Sequence, residues 1–172
     1  MKGDMPMLFP QARSVQIEER MRIAFVGSCL PRQCSIATFS FNLNHAFKHY
    51  AGFDGAYFIA VNNDEDYDYP PRVIFEVEQD NWEDYYQAAD LVNSFGVDVV
   101  SLQHDFDLFG GPDGIYITDF LRHLQKPVVT TCHTVLENPS FGQKKSVHEN
   151  RCPIPVLGGN EQRGYFLYDR YL

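Results

Sequence analysis

Two histidines and two aspartates lie where a parallel sheet would carry reactive groups. His104 and Asp105 follow one apolar segment, with Asp107 two positions further on, and His133 follows another apolar segment. An imidazole changes charge near neutral pH, so it can act as an acid or a base. For His133 alone, a core histidine bonded to a backbone carbonyl remains an alternative. Two carboxylates are too few for most hard-cation sites, so we expect no metal here.

A segment of small and turn-forming residues, Gly27 to Phe39, joins the first apolar run to a helical pattern. Backbone N–H groups at such a junction, together with the helix dipole, favour an anion. The glycine spacings of a dinucleotide fingerprint and of a P-loop are both missing. A phosphate site and an ordinary connecting loop therefore both remain open.

The cysteines stand at positions 29, 34, 132 and 152. Their spacing matches no pattern of paired zinc ligands, and a chain of this length needs no disulfide for stability. Cys29 and Cys34 lie in one loop and leave a metal or redox pair conceivable. The simpler interpretation is that the thiols are reduced and fill small packed spaces.

The elements that position these residues alternate along the chain. Short continuous apolar runs are typical of strands buried on both faces, and apolar residues three or four apart are typical of helices. The strands are predicted at 23–26, 57–61, 73–77, 97–102 and 127–131.

Three helices are predicted between these strands. The first begins at Ile36 and is closed by Gly52 and Gly55. The second has a capping-box-like start, with Asp80 three residues before Glu83. Its apolar face is predicted to consist of Trp82, Tyr85, Ala89, Val92 and Phe95.

The third helix is predicted to use Asp113 as its N-cap, with a face made of Ile117, Phe120, Leu121 and Leu124. Strands alternating with helices predict an α/β fold, a Rossmann-like parallel sheet with helices on both faces. We expect an irregular arm at 1–21, the Rossmann-like domain at 22–150 and an atypical tail at 151–172. Loops at the carboxyl ends of the strands should then form the site.

The net charge of −9 at pH 7 disfavours binding to nucleic acid or to an anionic membrane. No apolar run approaches the roughly 20 residues that span a bilayer. Pro6 and Pro10 interrupt the only apolar N-terminal stretch, and no apolar signal core follows. We expect a soluble cytoplasmic protein.

Three segments carry a family resemblance. Arg22 to Phe39 resembles the opening strand and Pro-Arg-x-Cys-Gly-Ile-Ala-Thr-Phe loop of bacterial retaining GT-B glycosyltransferases of the family 4 type. Val99 to Gly111 resembles their Val-Ser-x-Gln-His-Glu-Phe-Gly-x-Phe-Gly-Gly motif. Lys126 to Ser140 resembles their Lys-Pro-Val-Val-Thr-Thr-x-His-Thr-Val-Leu-x-Asn-Pro-Ser motif. Order and spacing agree over residues 22–145.

The resemblance implies the acceptor-side half of an enzyme that transfers a sugar from a nucleotide-sugar donor to a sugar or lipid-linked acceptor. It implies that His133 lies by the reacting sugar as the catalytic residue, and that His104 and Asp105 bind the acceptor. It places Arg32, Ser35, Ile36 and Thr38 by the donor diphosphate. Preorganised N–H dipoles would stabilise the leaving group there without metal or cofactor.

The sequence departs from the family pattern at Ser35 and Asp107, which stand where glycine is usual. The family's donor-gripping domain has no counterpart, so we expect a truncated product or a half that works with a separate donor-binding domain. The first alternative is a catalytically incompetent binding module. The second is a stand-alone flavodoxin-like nucleotide-binding protein.

The tail is expected not to complete the sheet. Pro153 and Pro155 lack the backbone donors of a central ladder, and Gly158 and Gly159 add freedom. The aromatic residues after position 164 are expected to anchor the end as a short helix or strand. We therefore expect a poorly protected sheet edge, proteolysis first between 149 and 163, and self-association.

Overall fold

The structure is a computed structural model that describes residues 21–50, 56–134, 136, 138 and 140–143, and the backbone alone at 164–168. Expectations for the arm at 1–20, the helix-closing glycines at 52 and 55, Cys152 and the cleavage segment at 149–163 lie outside these residues.

Six strands form one parallel sheet in the order β3-β2-β1-β4-β5-β6. This is the strand order of a doubly wound Rossmann sheet, so the predicted fold class is confirmed. The strands are β1 (Ile23–Gly27), β2 (Ala56–Asn62), β3 (Val73–Glu78), β4 (Val99–His104), β5 (Val128–Cys132) and β6 (Gly164–Tyr168).

Helices cover both faces of the sheet. The helices are α1 (Ser35–Tyr50), α2 (Trp82–Ser94) and α3 (Ile117–His123). Side chains alternate between the two faces along each strand. On β1, Phe25 packs with Phe47 of α1, whereas Ala24 and Val26 belong to the core beneath Tyr85 of α2. The sheet is therefore sandwiched between two apolar layers.

The helix starts differ from the predicted caps. Asn81, rather than Asp80, is the N-cap of α2, and its side chain accepts a hydrogen bond from the Glu83 N–H at 3.3 Å. Asp113 does not cap α3: it lies in a 3-10 turn, Pro112–Gly114, with a φ of 56°. The N-cap of α3 is Tyr116, which makes no side-chain capping bond.

The predicted face of α2 is confirmed at its centre and wrong at its ends, whereas Ile117, Phe120 and Leu124 of the third predicted face are buried. Tyr85, Ala89 and Val92 are buried, but Trp82 and Phe95 are exposed because they flank the first and last turns of α2.

The tail prediction is wrong in one respect. Residues 164–168 form β6, which pairs with β5 in parallel from Val128↔Gly164 to Cys132↔Tyr168. The two prolines precede this segment by about ten positions and interrupt none of its ladder, while the segment itself is rich in aromatic strand-formers. The edge of β5 is therefore paired.

No helix in the described part of the chain is long and apolar enough to cross a membrane.

Candidate functional site

The carboxyl edge of the sheet brings together the loop after β1, the loop after β4 and the residues after β5. His104 is the last residue of β4, two positions beyond the predicted end of that strand, and His133 follows β5 directly. The backbone N–H of His133 donates to the His104 carbonyl at 2.9 Å, which continues the β4–β5 ladder by one bond.

His133 is the point where the three segments meet. Its Nε2 lies 2.9 Å from Oε1 of Gln103, the penultimate residue of β4. Its ring stands edge-on to Phe39 of α1, with 5.0 Å between the ring centroids and 84° between the planes. The side chain is half-buried, so it is held from two sides and still reaches the surface.

Gln103 is a site residue that the sequence interpretation missed. Its side chain is fully buried, and its Nε2 donates to Ser101 Oγ at 3.0 Å. Ser101, Gln103 and His133 thus form a chain of hydrogen bonds on the α1 face of the sheet. The available signal was a pair of polar residues at alternate positions of a strand that is otherwise apolar.

The ring of His104 faces the other way. Val100 and Leu102 of the same strand belong to the core under α2 and α3, and strand alternation sends His104 to that face. The ring packs against Phe106 and Phe109, with centroids 5.2 and 6.0 Å away. The sequence places His104 and His133 at neighbouring strand ends, and the structure directs their side chains to opposite faces of the sheet.

Burial shapes the chemistry of His104. The residue is 1% exposed, and neither ring nitrogen has a hydrogen-bond partner within the described residues. Desolvation lowers its pKa to about 4, with smaller opposing and reinforcing effects from Asp105 and His133. His104 is therefore uncharged at neutral pH.

Asp105 connects two loops. One carboxylate oxygen accepts from Thr134 Oγ1, and the other accepts from the Asp107 N–H at 3.0 Å. The carboxylate thereby fixes Thr134, the residue after His133, against the loop that follows β4. Asp107 itself is exposed.

The paired glycines after β4 serve packing. A Cβ on Gly110 would lie 1.8 Å from the Gln79 carbonyl oxygen, and one on Gly111 would lie 2.6 Å from the Tyr116 ring. The Gly110 N–H also donates to the buried Tyr85 hydroxyl at 2.9 Å, which in turn donates to Gln79 at 2.9 Å. Because Gly110 has no side chain, it can approach the Gln79 carbonyl in the loop after β3.

Two side chains in the loop after β1 and in the first turn of α1 donate hydrogen bonds to backbone carbonyls of the protein itself. Arg32 Nη1 donates to the Val61 carbonyl at the end of β2 at 2.8 Å. Thr38 Oγ1 donates to the Cys34 carbonyl at 3.1 Å. Ser35 and Ile36 lie in the first turn of α1, where backbone N–H groups have no partner inside the helix. These N–H groups and the remaining guanidinium donors of Arg32 are the groups suited to an anion.

The three cysteines in the described residues are free thiols. Cys34 Sγ accepts from the Ala37 N–H at 3.4 Å and shares a 3.0 Å hydrogen bond with Ser28 Oγ, so it caps α1. Burial raises the pKa of Cys29 to about 11 and also raises the pKa of Cys132. These environments agree with the packing interpretation of the thiols.

A second polar cluster at this edge was also missed. Asn62, the last residue of β2, is buried and donates through Nδ2 to Glu76 and Glu78 at 3.0 and 3.2 Å. Its Oδ1 accepts from the Tyr69 hydroxyl at 2.8 Å. The cluster fixes the strand end that receives Arg32.

An open cleft of about 240 Å³ lies between the loops after β3 and β4. Its lining includes three carboxylates, Asp80, Asp107 and Asp113. Within the described residues, no group of three or more His, Cys, Asp or Glu side chains has an arrangement that could hold a metal ion.

The strand order and the position of His133 define a doubly wound α/β protein with a histidine held at the carboxyl edge of its parallel sheet. Comparison of the chain with known protein families, curated proteins and solved structures finds no match.

Proposed function

We propose that this chain is the N-terminal, acceptor-side half of a retaining GT-B glycosyltransferase. A nucleotide-sugar supplies the sugar, and a donor-binding domain outside residues 1–172 holds that donor. The bond from the sugar carbon to the donor phosphate breaks, a new bond forms to an acceptor hydroxyl, and the hydroxyl proton leaves with the nucleotide product or a base. The reaction is proposed to take place in the cytoplasm.

The observation that carries this proposal is the junction at His133. The three segments that resemble the family are far apart in sequence, and they meet at His133. Phe39 and Gln103 contact its ring, and the His104 carbonyl accepts a hydrogen bond from its backbone N–H. A polar, half-buried imidazole at the switch region of a parallel sheet is suited to contact a ligand hydroxyl.

The other residues take distinct parts in the proposal. Thr134 and Asp105 hold the loop that carries His133, so Asp105 supports the acceptor side mainly through Thr134. His104 faces the opposite layer, so its part is to supply the backbone carbonyl beneath His133. Arg32 and the first N–H groups of α1, at Ser35 and Ile36, are left to face the diphosphate.

One observation favours a second candidate, a binding module without catalysis. The side chains of Arg32 and Thr38, two of the four positions assigned to the diphosphate, donate to carbonyls of their own chain. A loop whose hydrogen-bond donors are already bonded within the protein binds phosphate more weakly. This candidate keeps the acceptor site and loses the donor contact.

The test is an NMR titration of the ¹⁵N-labelled chain with a panel of monosaccharides, sugar phosphates and polyol phosphates. We expect millimolar binding of one acceptor class, at about 4 kcal/mol. The shifted amides should lie at 103–107 and 132–134. His133→Ala should abolish the response, whereas the control His45→Ala, an exposed position of α1, should retain it.

Absence of a response to every compound, or shifts confined to the opposite edge of the sheet, contradicts the proposal. Adding a family donor domain and a nucleotide-sugar then separates the two candidates. Sugar transfer supports the half-enzyme, and acceptor binding without transfer supports the binding module.

A further inference from the structure

The buried side-chain amide of Gln103 is hydrogen-bonded to the candidate catalytic residue, His133. Gln103 is 0% exposed and touches the two polar side chains next to it on the α1 face, Ser101 and His133. An unbonded amide at this depth would destabilise the fold. Both polar ends of Gln103 are bonded, so the penalty is offset and the amide is held between Ser101 and His133.

The orientation of this amide decides where the proton of His133 sits. Gln103 Nε2 points to Ser101 Oγ at 3.0 Å, which leaves Oε1 to face His133 Nε2 at 2.9 Å. An amide oxygen only accepts hydrogen bonds, so His133 Nε2 must be the donor. In the neutral ring, Nδ1 then carries the lone pair.

We propose that Gln103 is a positioning residue that holds His133 in the Nε2–H tautomer and sets the ring edge-on to Phe39. The inference rests on the proposed function, in which His133 faces the reacting sugar. The fixed tautomer removes the energetic penalty of selecting it when the ligand binds.

Four other described residues lie on the elements next to the ring. On β4, His104 is uncharged above about pH 4. Beyond β4, Asp105 is bound to Thr134 and to its own loop. On β5, the neighbour Cys132 has a raised pKa and stays a thiol, and α1 contributes the uncharged Phe39.

The test reads the imidazole nitrogens of His133 by long-range ¹H–¹⁵N correlation in the full chain without ligand. Wild type should show a protonated Nε2 and an unprotonated Nδ1 at pH 7.5. Gln103→Leu should convert this single tautomer into a mixture. The isosteric Gln103→Glu should keep Nε2 protonated and hold the ring as imidazolium to a higher pH than wild type, because a carboxylate favours the charged form.

Gln125→Leu, at an exposed position, is the matched control and should leave the ring nitrogens unchanged. If Gln103→Leu fails to fold, Gln103→Glu carries the test alone. A wild-type Nδ1–H tautomer, or ring nitrogens that Gln103→Glu leaves unaltered, overturns the proposal. None of these readings uses a sugar, so a failed sugar titration with the expected tautomer would refute the function and leave the positioning role standing.

Discussion

His104 and His133 occupy adjacent strand ends and share a backbone hydrogen bond, yet their side chains have opposite environments. His133 is half-buried and bonded to a buried amide on the α1 face. His104 is enclosed by Phe106 and Phe109 on the other face, with no partner for its ring nitrogens within the described residues. Proximity along a sheet edge therefore does not make two histidines one site, because the face of each side chain decides its chemistry.

The difference extends to the loops. The loop on the His104 side is locked by contacts of Gly110 with Gln79 and Tyr85. The residues around His133 are linked by side-chain hydrogen bonds that a ligand can share or replace. We therefore expect substitutions on the His104 side to change stability, and substitutions on the His133 side to change binding.

The largest effect is expected for Gly110→Ala. The new Cβ would overlap the Gln79 carbonyl oxygen, which is backbone and cannot rotate away. Relieving the overlap requires moving a loop, so the free energy of unfolding should fall by about 3 kcal/mol or more. Chemical denaturation measures it.

The comparator is Gly96→Ala, where φ is +73° and the closest atoms belong to the Arg22 side chain, which is able to move. Its loss should be near 1 kcal/mol, from backbone strain. Equal losses for the two variants would show that the loop after β4 is not locked.

The next effect concerns pH. His104 has a pKa lowered to about 4 in the folded state by burial, against 6.5 for an unperturbed histidine. Between these two pH values, His104 is protonated in the unfolded chain and unprotonated in the folded chain. The titration of this group therefore costs no stability above pH 6.5, and stability declines as pH falls to about 4, by about 3 kcal/mol in all.

His104→Leu should remove this slope in denaturation curves measured from pH 7 to pH 4. Because the ring nitrogens lack partners within the described residues, the variant should also match or exceed wild-type stability at pH 7. His123→Leu, at an exposed position, should leave the slope intact. Marked destabilisation of His104→Leu at pH 7 would indicate that His104 has a polar partner after all.

A smaller stability effect and a complete functional one are expected for His133→Ala. The ring is half-buried and at the edge, but its removal leaves Gln103 Oε1 without its bond to His133, so the free energy of unfolding should fall by about 1–2 kcal/mol. In an enzyme completed with a donor domain, sugar transfer should be abolished. Thermal denaturation beside the transfer assay distinguishes this from a core histidine, for which activity and stability would fall together.

The fold was predictable because continuous apolar runs such as 23–26 alternate with helical patterns, and both signals survive in the structure. The N-cap of α2 was misplaced because Asp80 and Asn81 are both good caps, and sequence alone does not choose between them. The faces of His104 and His133 depend on the register Val100↔Val128. Ser101 and Gln103 alternate with apolar residues on β4, but β5 has no such alternation that would reveal the face of His133.

The smallest effect is expected for nucleotide-sugars added to this chain alone. The groups available to a diphosphate are the first-turn N–H groups of α1 and those donors of Arg32 that do not bind Val61. A helix N-terminus contributes about 0.3–1 kcal/mol to an exposed anion, and salt screens it. The net charge of −9 opposes an anionic ligand as well. These contributions fall well short of the roughly 8 kcal/mol of a micromolar complex.

Calorimetry at physiological salt should therefore detect no tight binding of any nucleotide-sugar, and Arg32→Gln should change nothing measurable. A micromolar affinity that Arg32→Gln weakens at least tenfold would show that the loop after β1 is a phosphate site in its own right, and that the donor does not need a second domain.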